Sequence, residues 1–205
     1  KPLISTEELA IIMTYGIGNL FLRDKESRLA GTDRESMKTT ALLFGLDLDY
    51  VSLTLPRIPC AEEAEKITAL AELCSENFAD YNAERMARLI KKRMSSGEIF
   101  VIEHKNNIAG FIMFSKKNKT IDHIAVSPDY RRIGIASRLM VTAMAQFEVG
   151  EELSAVTFRQ EHPMSDGVSR MYKKFGFDDE KNIVVRGEPL VKRTAVVPEK
   201  AIITE

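Results

Sequence analysis

The chain of 205 residues is 44% hydrophobic and 29% charged, with a formal net charge of −1. This composition is typical of a folded globular protein, and the balanced charge excludes a general attraction to nucleic acid or to a membrane surface. No apolar segment approaches the roughly 20 residues of a membrane-spanning helix, and no signal peptide is visible. The two cysteines, Cys60 and Cys74, form no metal-spaced cluster and no disulfide framework, so we expect a cytoplasmic protein without a bound metal ion.

The sequence pattern of residues 1–49 predicts an N-terminal helical extension, separate from a main domain at residues 50–205. Ser5 and Glu8 have the spacing of a capping box in front of an apolar helix, which Gly16 and Gly18 interrupt. A second helix is predicted over Asp33–Phe44. The extension could cover a binding cleft, form a homodimer surface or belong to a larger protein, and its sequence does not choose among these roles.

The main domain begins with signals for one strand and two helices. A strand is predicted at Tyr50–Leu55, and helices follow over Ala61–Asn77 and Asn82–Met94. Five basic residues are expected on the outward face of the second helix: Arg85, Arg88, Lys91, Lys92 and Arg93. Because apolar residues occupy the other face, this run predicts a solvated helix surface rather than a nucleic-acid patch.

Strands dominate the rest of the domain. The polar segment Lys105-Asn106-Asn107 separates the apolar segments Ile99–Glu103 and Ile108–Phe114, which predicts a hairpin with His104 at its surface. Further strands are predicted at Ile121–Val126, Leu153–Phe158, Ile183–Arg186 and Val191–Val197, with helices after the first two of these.

The loop between the strand at Ile121–Val126 and the following helix has the features of an anion site. The start of a helix presents unpaired N–H groups and the positive end of its dipole to whatever lies there. Gly134 and Ala136 lack bulk, so a phosphate can reach the backbone, and nearby arginines add positive charge: Arg131, Arg132 and Arg138. The loop is neither a P-loop nor a dinucleotide fingerprint, because their glycine and lysine positions are not filled. It therefore predicts binding of a phosphate or diphosphate of another kind.

Two motifs together resemble the GNAT superfamily of N-acetyltransferases. The pattern Arg131-x-x-Gly134-x-Ala136 is similar to the coenzyme A loop of that family, and Tyr172-x-x-x-Gly176-Phe177 is similar to its second signature. A predicted strand separates the motifs, as in the family, and the resemblance covers about residues 50–187. It implies an α/β (α+β) fold with a mixed, mostly antiparallel central sheet, a V-shaped splay in that sheet and flanking helices.

The resemblance implies an enzyme that moves the acetyl group of acetyl-CoA to a primary amine by direct transfer in a ternary complex. The acceptor would be a small molecule or a peptide or protein amine. The pantetheine arm would pair with one strand, the pyrophosphate would meet the loop amides, and Ser165 stands where the family often has an asparagine that contacts the arm. The residues expected to bind coenzyme A are Ile124, Ala125, Val126, Arg131, Arg132, Ile133, Gly134, Ile135, Ala136, Ser137 and Ser165.

The resemblance also indicates candidate catalytic residues. Tyr172 occupies the position of a tyrosine that donates a proton to the leaving thiolate, although such a tyrosine can also simply pack against the sheet. The base that removes the amine proton is either Asp122 or His123, or neither, with bulk water taking the proton instead. Since adjacent strand residues point to opposite faces, only one of these two side chains is expected to face the substrate.

Three alternatives remain open at this stage. A protein of the same fold could bind coenzyme A or an acyl-CoA as a sensor without turnover. It could instead be an interaction domain with a vestigial loop, or an enzyme that transfers a larger acyl group. The identity of the acceptor amine is not encoded in any recognisable motif.

Overall fold

The computed structural model describes residues 55–104, 107–159 and 165–199. The predicted N-terminal extension and residues 50–54 of the predicted first strand lie outside the described residues. The helices are α1 (Ala64–Leu73), α2 (Ala83–Ser96), α3 (Ile135–Met144) and α4 (Ser165–Lys174). The strands are β1 (Ile99–His104), β2 (Asn107–Ser115), β3 (Thr120–Val126), β4 (Glu152–Phe158), β5 (Asp179–Val185) and β6 (Glu188–Val196). Every helix and strand predicted in the described ranges is confirmed, with ends that differ by a few residues.

The strands form one sheet in the order β1-β2-β3-β4-β6-β5. All neighbouring strands are antiparallel except β3 and β4, which run parallel. Parallel neighbours need a long crossover, and here α3 supplies it between β3 and β4. The mixed, mostly antiparallel sheet with flanking helices confirms the predicted fold class.

The helices cover both faces of the sheet. Apolar residues of α1 and α2 share a core with alternate residues of β1, β2 and β3, among them Phe111 of β2. A side chain on the neighbouring Gly110 would instead meet Ile135 and Leu139 of α3, so α3 covers the opposite face. No helix in the described ranges is long and apolar enough to cross a membrane.

Local signals set both ends of α2. The Asn82 side-chain oxygen accepts a hydrogen bond from the backbone N–H of Arg85 at 2.9 Å and caps the start of the helix. Gly97 ends it with a φ of +66°, a left-handed conformation that favours glycine. Between these ends, Met86 and Ile90 are buried on the core side, as the periodicity predicts.

Two residues predicted at the surface are buried, which makes both predictions wrong. Arg93 does not belong to the solvated face of α2, because its side chain is 8% exposed and lies between Asp122 and Glu98. His104 is also buried, and its ring packs edge-on against Tyr130 with centroids 5.1 Å apart. In both cases the covering group comes from a distant part of the chain, so the local pattern gives no sign of it.

An ion cluster ties the segment before α1 to the sheet. Arg57 pairs through its backbone with Val101, and its guanidinium donates to Glu63 at 2.6 and 2.7 Å and also to Glu103. The hydrogen bonds from Arg57 hold the pKa of Glu63 far below its usual value, at about 2, although burial opposes this shift. The folded protein therefore favours the ionised form of Glu63 more strongly than the unfolded chain does.

Replacing Glu63 with glutamine is expected to lower the free energy of unfolding by about 1–3 kcal/mol at pH 7. Because the pKa of Glu63 is lower in the folded protein than in the unfolded chain, its ionised carboxylate stabilises the fold above pH 4.5. This stabilisation is lost as the pH falls from 4.5 toward about 2. The difference between wild type and Glu63→Gln in urea unfolding should thus shrink between pH 4.5 and 2. Glu65→Gln, on the exposed side of α1, should change little at any pH, and an equal change in both variants would contradict the assignment.

Candidate active site

β3 and β4 separate from one another and leave an open cleft in the sheet. The two strands pair only at Thr120–Ser154 and Ile121–Ala155 among the described residues. On its other side β3 stays paired with β2 as far as Val126, and the Ser127 N–H donates to Ala109 of β2 at 2.9 Å. This is the V-shaped splay that the resemblance to the GNAT superfamily implies.

The cleft side of β3 carries backbone hydrogen-bonding groups. In an antiparallel pair the N–H groups of a strand point alternately toward the partner and away from it. Since Ser127 directs its N–H to β2, the N–H groups of Ile124 and Val126 point toward the cleft. An extended ligand in the cleft can therefore pair with this edge as an added strand would.

The loop that follows β3 leads directly to the N-terminus of α3. Arg132 and Gly134 have positive φ angles of 70° and 84°, and α3 starts at Ile135. No side chain in the described ranges caps this helix, so its first N–H groups are available to an anion. The geometry is therefore that of a phosphate site next to the cleft.

Close packing against β2 fixes the start of α3. The Ile135 side chain is buried, and a Cβ on Gly110 would lie only 2.8 Å from its Cγ2 atom and 3.0 Å from the Ala125 carbonyl oxygen. The glycine thus allows the helix N-terminus to approach the end of β3 closely. As a result the loop and the cleft edge are held side by side.

The arginines of the loop do not share one role. Arg131 turns inward, and its Nε donates to the Val126 carbonyl oxygen at 3.2 Å. Its Nη2 atom is buried and has no partner among the described residues. Arg132 is exposed and Arg138 is half-buried. Arg131 therefore supports the end of β3, and Arg132 is the loop arginine open to solvent.

Tyr172 lies on α4 and is buried. Its ring packs edge-on against Phe177, with centroids 5.2 Å apart. Burial raises the pKa of Tyr172 well above its usual value; the charge of Arg193 partly opposes this shift, and that of Asp122 adds to it. The hydroxyl consequently stays protonated and able to donate, while the ring contact supports the packing role as well.

Asp122 occupies a β-bulge in β3. The pairing with β2 shifts between His123, opposite Met113, and Ile121, opposite Phe114, which leaves Asp122 without a partner across the strands. The prediction that Asp122 and His123 point to opposite faces is wrong, because both reach α2. Asp122 bonds Arg93 of α2, and His123 lines a cavity beside that helix.

Residues 95–179 match a family model described as an acetyltransferase (GNAT) domain. Over these residues the chain is similar to a GNAT acetyltransferase domain. The match runs from the end of α2 to the start of β5 and includes both the α3 loop and Tyr172. A search of curated proteins found no match to this chain.

Many solved structures share this fold. A GNAT-family acetyltransferase from Bacillus cereus ATCC 10987 is 17% identical with a TM-score of 0.55, over 69% of this chain and 96% of that one. Ribosomal-protein-alanine N-acetyltransferase from Brucella melitensis is 15% identical with a TM-score of 0.54, over 69% and 99%. The yncA protein from Salmonella typhimurium, solved with its cofactor acetyl-CoA, is 14% identical with a TM-score of 0.53, over 73% and 97%. At these identities the similarity shows the fold alone.

The two candidate bases differ in their surroundings. The carboxylate of Asp122 accepts hydrogen bonds from the Arg93 Nε and Nη2 atoms at 2.9 and 2.6 Å and from the Thr120 hydroxyl at 2.7 Å. Burial lowers the pKa of His123, and the charges of Arg93 and Arg85 lower it further against the opposing effect of Asp122. His123 is therefore neutral near pH 7 and can accept a proton, whereas Asp122 is engaged in holding Arg93.

One residue near Tyr172 gave no signal in the sequence. Arg193 of β6 is buried, with its Nε donating to the Thr157 hydroxyl and its Nη2 to the Ser169 hydroxyl, each at 3.0 Å. In sequence it follows Lys192 in a charged segment, which reads as an exposed edge. Only the pairing of β6 with β4 and the packing of α4 show that this cation lies inside the domain.

The remaining predicted site residues lie in the loop and at the starts of α3 and α4. Ile133 is exposed, and Ala136 and Ser137 are half-buried in the first turn of α3, where their backbone N–H groups face the loop. Ser165 begins α4, but its side chain lies outside the described part of the chain. Within the described ranges, no three histidine, cysteine, aspartate or glutamate side chains form a group that could hold a metal ion.

Proposed function

We propose that this protein is an N-acetyltransferase that moves the acetyl group of acetyl-CoA directly to a primary amine. The observation that carries the proposal is the open edge of β3 beside the uncapped N-terminus of α3. These two features offer a row of backbone hydrogen-bonding groups next to an anion site. A ligand that joins a diphosphate to an extended amide-containing arm, as coenzyme A does, fits both at once.

Different residues of the site correspond to the arm, the acyl carbonyl and the diphosphate of this ligand. The backbone of Ile124, Ala125 and Val126 would hold the arm, with the Val126 N–H close to the acyl carbonyl as an oxyanion donor. Arg131 would keep the end of this strand in place. The N–H groups of the α3 loop would bind the diphosphate; the loop residues are Arg132, Ile133, Gly134, Ile135, Ala136 and Ser137.

The reaction requires two proton transfers, one from the amine and one to the leaving thiolate. Acetyl-CoA supplies the acetyl group as a thioester. His123 is the candidate that accepts the proton of the attacking amine nitrogen, with Asp122 as the alternative. Tyr172 is the candidate that donates a proton to the departing thiolate. The acceptor would be the amine of a small molecule or of a peptide or protein.

The cysteines favour direct transfer over an acyl-enzyme. Burial raises the pKa of the Cys74 thiol, although the charge of Arg131 partly opposes the shift. The thiol lies against the Val126 carbonyl oxygen, with sulfur and oxygen 3.6 Å apart, and is fully covered. Cys60 is exposed in the segment before α1. A covered thiol that stays protonated is a poor nucleophile.

Calorimetric titration with acetyl-CoA tests the proposal, with Gly134→Glu as the disrupting variant. The new carboxylate would stand at the diphosphate position, so we expect micromolar binding by wild type and at least a tenfold loss in the variant. Gly150→Glu is a matched control, because Gly150 has nearly the same φ, 86° against 84°, and both glycines have open space around them. Equal binding by all three proteins would exclude the loop as the site.

Turnover separates the enzyme from a sensor of the same fold. Release of free coenzyme A in the presence of a panel of primary amines would be followed with a thiol reagent, using wild type and Gly134→Glu. Amine-dependent thiol release by wild type alone supports the transferase. Tight binding without release for any amine in a broad panel favours the sensor, and no binding by folded wild type removes both functions.

A further inference from the structure

A small cavity lies between the α1–α2 connection and β3, on the same face as the two helices. Its volume is about 60 Å³, and its walls include Phe78, Asp80, Tyr81, Met86, Leu89 and His123. Polar side chains, Asn82 and Arg85 among them, complete the lining. The cavity therefore brings His123 together with a residue that none of the sequence motifs contains, Tyr81.

Two buried polar atoms of this lining have no partner among the described residues. They are the Tyr81 hydroxyl oxygen and the Nδ1 atom of His123. More than nine in ten buried polar groups in proteins make a hydrogen bond, so two unpartnered ones at the same cavity call for a shared explanation. A buried water needs roughly 10–15 Å³ and at least two polar partners; the cavity has the volume, and both residues line it.

The same phenylalanine fixes both rings. Phe78 packs edge-on against His123 with centroids 5.1 Å apart, and it stacks with Tyr81 at 6.3 Å. These contacts hold the planes of both rings at the wall of the cavity. The imidazole keeps some exposure elsewhere while Nδ1 is covered, so its other nitrogen, Nε2, is the one available to a substrate.

We propose that Tyr81 is a positioning residue for His123. Through water in the shared cavity, the Tyr81 hydroxyl oxygen accepts the hydrogen bond of His123 Nδ1–H and so leaves Nε2 unprotonated. This inference rests on the proposed function, because it assigns the tautomer of its candidate base. As the amine nitrogen bonds to the acyl carbon, the C–S bond of the thioester breaks and the thiolate leaves; the N–H bond of the amine breaks and its proton forms a bond to Nε2. The resulting imidazolium keeps Nδ1–H bonded toward Tyr81 until Nε2 returns the proton to solvent.

The surrounding charges agree with these roles. Asp122 on β3 favours protonated His123, whereas Arg85 and Arg93 of α2 oppose it, and burial also favours the neutral ring. Asp80 at the cavity is paired with Arg85 and with Arg186 of the β5–β6 turn, each at 3.0 Å. Burial raises the pKa of Tyr81, and the nearby Glu72 of α1 adds to the shift, so the hydroxyl stays neutral.

Imidazole ¹⁵N NMR of the full chain tests this assignment without knowledge of the acceptor. The His123 signals are identified by their loss in His123→Gln. In wild type we expect His123 mainly as the Nδ1–H tautomer, with a pKa below that of a free histidine. Tyr81→Phe keeps the ring but removes the hydroxyl, so the tautomer ratio should fall roughly five- to tenfold and the pKa of His123 should move lower.

Tyr130→Phe is the matched control, because Tyr130 packs edge-on against another buried histidine, His104. It should leave the His123 signals unchanged. An unchanged tautomer ratio in Tyr81→Phe, or a wild-type His123 in the Nε2–H form, would overturn the proposal. With an amine that supports turnover, the acidic limb of the kcat/KM profile should move to lower pH in Tyr81→Phe. Acetyl-CoA binding by Tyr81→Phe should equal that of wild type, so failure of this inference is distinct from failure of the proposed function.

Discussion

Arg93→Ala is expected to lower the free energy of unfolding by about 3–5 kcal/mol, because it leaves two buried carboxylates without their cation. The Arg93 Nη1 atom lies 2.5 Å from Glu98 and its Nη2 atom lies 2.6 Å from Asp122, and no side chain of the three is more than 16% exposed. The midpoint of urea unfolding, followed by circular dichroism at pH 7.5, measures the change.

The same helix offers a matched control. Arg88 also belongs to α2 and pairs with Glu84 at 3.6 Å, but the two side chains are 73% and 85% exposed. An exposed pair of this kind contributes at most about 0.5 kcal/mol, so Arg88→Ala should hardly move the midpoint. Similar losses in the two variants would contradict the role of Arg93 as the buried partner. Adding Asp122→Asn and Glu98→Gln to an Arg93→Met background should recover most of the stability.

The effect of Arg93→Ala should also depend on pH. Burial raises the pKa of Glu98, but hydrogen bonds from the Lys116 N–H, the Ser96 hydroxyl and Arg93 more than offset it, so the pKa lies below its usual value. In wild type the lowered pKa of Glu98 stabilises the fold at pH values above 4.5, the pKa in the unfolded chain. This stabilisation is lost as the pH falls below that value. Without Arg93 that contribution is reduced, so the deficit of the variant should be largest near neutral pH and should shrink below pH 4.5.

Features that depend on neighbouring residues could be predicted from the sequence. The α3 loop needs a small residue with a positive φ at Gly134, and that requirement is visible in the chain itself. The polar segment between β1 and β2 likewise marks a hairpin, and Asn82 and Gly97 mark the ends of α2. These signals act within a few residues, so elements and their order follow from them.

Features that depend on strand register could not be predicted. One extra residue in β3 at Asp122 reverses the alternation of side chains, and the sequence contains no sign of that bulge. The burial of Arg93 follows from the bulge, because it brings the Asp122 carboxylate toward α2. Arg193 and His104 are further cases in which a helix or loop distant in sequence covers a residue that reads as exposed. Packing between helices and strands that are distant in sequence thus decides which charged side chains are buried near the site.

Tyr172→Phe is expected to lower kcat about 100-fold, in the lower range of what one positioned proton donor contributes. The substitution removes only the hydroxyl and keeps the ring contact with Phe177. Since Tyr172 is not expected to contact the diphosphate, the Kd for acetyl-CoA from calorimetry should stay within about twofold. Steady-state kinetics with an amine that supports turnover separates kcat from KM.

The pH dependence distinguishes a protonated donor from an ionised one. Burial raises the pKa of Tyr172, so its neutral form persists above the ordinary value of 10.0. Wild type should therefore show no loss of kcat from ionisation of Tyr172 up to pH 10, and the profile of Tyr172→Phe should be lower throughout but similar in shape. A wild-type profile that falls between pH 8 and 10 with a limb absent from the variant would contradict this role.

Packing alone predicts a different combination of results for Tyr172→Phe. If the ring only supports α4 against the sheet, kcat should stay at the wild-type value, because phenylalanine fills the same space beside Phe177. Any loss would then appear in the urea midpoint, since a buried hydroxyl and its surroundings, including Arg193, would be rearranged. A 100-fold lower kcat at unchanged midpoint and unchanged acetyl-CoA binding would assign the hydroxyl to the leaving thiolate. An unchanged kcat would leave protonation of that thiolate to solvent.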